Sequence, residues 1–200
     1  LLNGDTATAA STNINLIDGT PTAGTKYLAF DGLRKYCLVT NPGQSINASA
    51  APSLTLFRQG RFKLAGGYAV QPRNCAWIVD DNTYAAMLAM SEFLTMEKAG
   101  PHATAQTGQI GFMDGIPVFA SAELALANTA GKISGTPSNN TKGQGLIVFR
   151  PNFMIGYRRQ VQANVEAFPW ADAYHLVVTV RLCLVGFDTQ SAAELYNFTV

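Results

Sequence analysis

At 200 residues and 21.4 kDa the chain can bury about two thirds of its unfolded surface without disulfide or metal staples. Hydrophobic residues make up 48% and charged residues only 14%, where about 25% is usual, so the composition excludes a disordered chain. Lys and Arg number 14 against 13 Asp and Glu, and a net charge of +1 provides no basic field for holding nucleic acid by its backbone.

The chain opens on Leu1 and Leu2 with no leader pattern, and the start is expected to be a cut or trimmed end. Residues 3–25 are rich in Thr, Ala, Asn and Gly and read as a loop with one short strand at Ile14 and Leu16. A helix is predicted over 32–40, capped by Asp31, with Leu33, Tyr36 and Cys37 at helical spacing and Asn41, Pro42 and Gly43 as its stop. Residues 45–52 read as a loop. Ser53 then caps a second helix, in which Leu54, Phe57 and Leu64 form an apolar stripe until Gly66 and Gly67 end it. Arg58 and Arg61, three apart, share a face that is either solvated or set against an acidic neighbour.

The unalternating run 75–79 suggests a strand covered on both sides. Asp80 and Asp81 cap a third helix with Tyr84, Met87, Leu88 and Leu94 on one stripe, closed by residues 98–101. A hairpin follows, 109–112 and 116–119 joined by Met113, Asp114 and Gly115, which puts Pro117 at a strand start or on an edge. Residues 128–145 change to Gly, Thr, Ser, Asn, Lys and Pro and read as an exposed functional loop. Strands are predicted over 146–149, 154–158, 161–165, 174–185 and 195–200. Helices grouped early and strands late indicate an α+β fold. No apolar run approaches the roughly 20 residues of a membrane span.

Chemistry-bearing patterns are scarce. Cys37, Cys75 and Cys183 each sit among apolar neighbours and read as buried free thiols of a reducing compartment. His102 and His175 have no second ligand at zinc spacing, and no phosphate loop or nucleophile elbow is present, so no catalytic, cofactor-binding or metal residue is assigned. Arg150, Arg158 and Arg159 form the compact basic group of the β half. Strand alternation sends Arg158 and Arg159 to opposite faces, which favours a structural role facing two partners, or one partner and an internal carboxylate such as Glu166. Trp170, in a turn after Phe168 and Pro169, reads as a core plug or an interface anchor.

Several segments in order resemble one family. Leu1-Leu2-Asn3-Gly4-Asp5, then Ile78-Val79-Asp80 with the helix holding Tyr84 and Leu88, then Gly111 and Asp114-Gly115-Ile116-Pro117-Val118, are similar to segments of the major capsid proteins of tailed bacteriophages with the Hong Kong 97 fold. Residues 145–149, 153–165, 177–187 and 195–199 continue the resemblance to the end. It implies a shell subunit, with 1–152 and 182–200 as the axial domain and 153–181 as a remnant of the peripheral domain. The family's N-terminal arm, extended loop and spine helix would lie upstream. The implied partners are further copies in pentamers and hexamers, with portal and scaffold proteins. Neither a membrane nor a specific nucleic-acid sequence is implied as a partner. The implied contact residues between subunits are Arg58, Arg61, Lys132, Asn139, Asn140, Lys142, Arg158, Arg159 and Trp170. The loop 128–145 would line a five-fold or six-fold axis. The competing readings are an encapsulin-type nanocompartment shell and, from another class, a hydrolase or ligand-binding domain, which needs convergent polar groups.

Overall fold

In the computed structural model, which describes residues 1–7, 13–15, 28 and 30–200, the chain starts by docking on the helix that follows it. That helix, α1 (Leu33–Lys35), continues as a π-helical turn over Tyr36–Thr40. Its first N–H donors go to the backbone of the opening segment: Gly32 N–H to Gly4 O at 2.7 Å, Leu33 to Leu1 O at 3.0 Å and Arg34 to Leu2 O at 3.2 Å. These carbonyls do the work expected of Asp31, which makes no cap. Asp31 instead accepts from Thr6 and from Lys35 Nζ. Of the strand expected near Ile14, residues 13–15 form a bend and Leu16 lies outside the described residues.

The predicted loop 45–52 contains a short strand, β1 (Ser45–Asn47), which pairs in parallel far along the chain. α2 (Leu54–Lys63) is capped as expected, Ser53 Oγ accepting from Leu56 N–H at 3.4 Å. It ends before Gly66 and Gly67, which open the next turn, α3 (Gly66–Ala69), because Leu64 turns extended and Ala65 N–H bonds to Gln190 O. β2 (Cys75–Val79) is buried on both faces, as predicted. Asp80 caps α4 (Asp81–Leu88), accepting from the N–H groups of Asn82 and Thr83 at 3.0 and 2.9 Å. The single long helix expected to reach residue 98 does not form. Thr104 Oγ1 donates to Leu88 O, Met90 is extended, and the chain proceeds as α5 (Ser91–Leu94), α6 (Met96–Ala99) and α7 (Thr104–Thr107).

β3 (Phe112–Met113) and β4 (Ile116–Ala120) form a hairpin where one was predicted, but its first strand is not 109–112: residues 109–111 are outside it and Met113 joins it, leaving a two-residue turn in which Asp114 and Gly115 have φ of 50° and 76°. Pro117 stands second in its strand. β5 (Lys142–Phe149) takes over the end of the predicted loop, with Gly143, Gln144 and Gly145 buried. Gly143 is there for closeness, not flexibility, since a Cβ would strike Thr83 Oγ1 and Val200. The strands predicted over 154–158 and 161–165 are one, β6 (Phe153–Phe168), followed by β7 (Ala173–Gly186) and β8 (Ala192–Thr199).

The strands form a six-stranded mixed sheet, order β1-β8-β5-β2-β4-β3, and a separate two-stranded ribbon, β6-β7. On one face of the large sheet Phe57 of α2 packs edge-on to Trp77 at 4.9 Å and stacks on Phe198. On the other face Leu33 and Cys37 cover Ala76, Leu146, Val148 and Ala192. Asp80 ties helix to sheet: beyond its cap it accepts from Thr83 Oγ1 at 2.5 Å and Gln144 N–H at 2.6 Å. Among the described residues no helix is long and apolar enough to cross a membrane.

Candidate interaction surface

Among the described residues the ribbon carries a long series of exposed apolar side chains. By the β6-β7 register, Ala163 faces Val178 and Val165 faces Leu176, so these four share a face, with Val180 next along the strand. Val165, Leu176, Val178 and Val180 are all exposed. The opposite face is polar, pairing Gln162 with Thr179, Asn164 with Val177 and Glu166 with His175. Trp170 stands at the tip, 89% exposed, so it is no core plug. Cys183, expected to be buried, is also exposed on this ribbon, whereas Cys37 and Cys75 are buried free thiols as predicted. Burial pushes the Cys37 thiol well up, helped by the nearby Glu194 carboxylate.

The pairing steps irregularly at Arg158. Tyr157 faces Leu182 and Arg159 faces Arg181, so two residues on β6 match one step on β7. Arg158 is the extra residue of a bulge, and simple alternation, which sent it opposite to Arg159, does not hold there. Arg159 and Arg181 are directly cross-strand, an unfavourable like-charge pair in isolation. All three arginines are exposed, with no ion pair among the described residues, and so is Glu166, which is therefore not the internal carboxylate expected. Arg181 is not among the contact residues expected from the sequence, because only the register brings it to Arg159.

The remaining candidates are placed within the body. Arg58 forks onto Asp114 of the hairpin turn, Nε to Oδ2 at 2.7 Å and Nη2 to Oδ1 at 3.0 Å, so the acidic-neighbour alternative holds for it. That pairing pulls the Asp114 carboxyl below its usual value. Arg61 donates to Ala69 O at 2.8 Å. Asn140 closes the loop before β5, accepting from Ser134 N–H and donating back to Ser134 O, while Asn139 Nδ2 reaches Ser134 Oγ at 3.4 Å. Lys132 is half-buried beside Gly131, and Lys142 pairs its backbone with Ala127. Residues 135–139 at the loop's tip are exposed throughout, as are Thr129, Ala130 and Thr141.

Two other polar sites were not anticipated. Arg34, fully buried, bonds Glu194 Oε1 at 3.3 Å, Asn3 Oδ1 at 3.1 Å and Gly131 O, binding the opening segment, α1 and the loop to β8. A cleft of about 560 Å³ beside α5 and α7 is lined by Glu92, Lys98, His102, Thr104 and Gln109 among others, and the side chains of Glu92, Lys98 and His102 lie in solvent. Among the described residues no group of three His, Cys, Asp or Glu could hold a metal ion.

No protein-family model matches the sequence, and no curated protein matches it. Solved structures do match. A protein of Mycobacterium phage Che8 superposes with a TM-score of 0.62 at 11% identity, over 81% of this chain and 56% of that one. The mature capsid of bacteriophage PhiM1 gives 0.58 at 10% identity, over 94% and 57%. The holo-SrpI encapsulin complex from Synechococcus elongatus PCC 7942 gives 0.52 at 13% identity, over 83% and 60%. The chain has the α+β fold of these shells, the Hong Kong 97 type, and spans less than two thirds of the length of each.

Proposed function

We propose that the chain is the shell-forming part of a major capsid protein, a structural subunit that self-assembles into the icosahedral head of a tailed phage or prophage. The observation that carries this reading is the superposition on the PhiM1 mature capsid over 94% of the chain. The exposed apolar ribbon supports it, because such a surface is stable in water only when neighbours cover it. In this reading the six-stranded sheet with its helices is the axial domain, and the ribbon, whose return strand runs on to Gly186, is the peripheral remnant. The loop tip 135–139 would then line a ring axis. Each subunit meets its neighbours through several faces, closing first into pentamers and hexamers and then into a shell, and many weak contacts sum to a stable particle. Portal and scaffold proteins are its further partners, the virion its location, and the work requires no catalytic group or cofactor.

Expression of the whole gene followed by electron microscopy tests the reading. Closed icosahedral particles are expected, and a protein that stays unassembled at every concentration tried would overturn it. The encapsulin match supports one alternative, a nanocompartment shell. Particles that copurify with an enclosed enzyme would decide for it, and particles filled with DNA for the phage head.

A further inference from the structure

On the polar face of the ribbon, charge is separated along its length. Arg159 and Arg181 stand paired about midway along the ribbon, with Arg158 bulged beside them, and Glu166 lies further out, with Asp172 at the tip turn beyond it. Between the two ends lie neutral residues, Gln162 paired with Thr179 and Asn164 with Val177. Neither end has an ion-pair partner among the described residues. A second register shift lies between Arg159 and Gln162, and from Arg181 to His175 the partner strand advances six residues, about 20 Å at the usual rise.

We propose that this face is a self-complementary contact, on which the ribbon of a second copy lies antiparallel, its Glu166 and Asp172 against the Arg158, Arg159 and Arg181 of the first, and the reverse at the other end. A two-fold axis between the Gln162–Thr179 and Asn164–Val177 pairs, midway from the Arg159–Arg181 pair to the Glu166–His175 pair, satisfies both ends at once, as an isologous contact requires. A second copy is favoured over a polyanion because one continuous face offers the acids as well as the bases, with uncharged residues at the centre. The like-charge pair Arg159–Arg181 then gains what it lacks in the isolated chain, two carboxylates to share. The contact deepens the shell reading above and rests on it, naming one face by which copies meet.

Reciprocal charge reversal tests the contact. One variant carries Arg159→Glu and Arg181→Glu, the other Glu166→Lys and Asp172→Lys, and sedimentation velocity follows self-association at low salt. The unaltered chain is expected to associate, and to do so less as salt rises. Each variant alone is expected to associate about tenfold or more weakly, and an equimolar mixture to recover association, because both ends are complementary again. Arg159→Lys with Arg181→Lys, which keeps the charge, is expected to associate like the parent. Variants that associate as well as the parent, or a mixture that does not recover, would overturn the contact. So would a chain whose arginines bind a DNA duplex while it remains monomeric. Whole-gene particles that still close when built from either variant would remove this contact and leave the shell reading standing, whereas recovery in the mixture without closed particles would do the opposite.

Discussion

Glu194 is a buried carboxylate with one oxygen bonded to Arg34 and the other, Oε2, without a partner among the described residues. Burial pushes its carboxyl up to about 7, against the opposing pull of the Arg34 guanidinium. An unfolded chain releases this proton near 4.5, whereas the folded chain holds it to about 7. The folded state is therefore favoured by this group below 4.5, and the favour is lost as pH rises from 4.5 to 7. Denaturant unfolding is expected to show stability falling across that window, and Glu194→Gln to flatten the fall; an unchanged slope would show that the group does not titrate there. Such a residue is illegible in sequence. Glu194 falls just before the strand expected over 195–200, and the packing of α1 over that face encloses it with Arg34. Ser53 and Asp80, by contrast, were legible as caps, because a cap bonds to donors two or three residues away.

Between elements, α2 approaches the sheet where Gly60 meets Leu195 and Trp77, and a Cβ there would overlap Leu195. Gly60→Ala is expected to destabilise by about 1–3 kcal/mol through overpacking, despite alanine's better helix propensity. Gly67→Ala, with nothing within 4 Å, is expected to be neutral or to stabilise by up to about 1 kcal/mol. Paired thermal melts check both, and equal shifts in the two would contradict the close approach. The same distinction explains the misread boundaries. Glycine signalled flexibility at 66–67 and at 143–145, but packing and non-local hydrogen bonds decide its use at both places, so a helix ended early and a strand began inside a predicted loop. The Asp114-Gly115 turn was legible because its geometry is local.

For the whole molecule, a two-stranded ribbon with neither face covered is marginal by itself, while the six-stranded body holds two packed cores. Hydrogen exchange is expected to find the amides of β6 and β7 far less protected than those of β2 and β5, and equal protection would mean that the ribbon is already covered in solution. The 14% charge content fits this division, since the surface left nearly free of charge on the ribbon's apolar face is the one that copies can cover. Strand order carries one more consequence. β8 lies between β1 and β5 in the sheet but follows the ribbon in sequence, and among the described residues β1 has no other strand partner. A chain emerging from the ribosome therefore exposes its stickiest segment while the sheet still has a gap, and only the arrival of residues 192–199 closes it. Sheet completion thus comes after the ribbon has been synthesised.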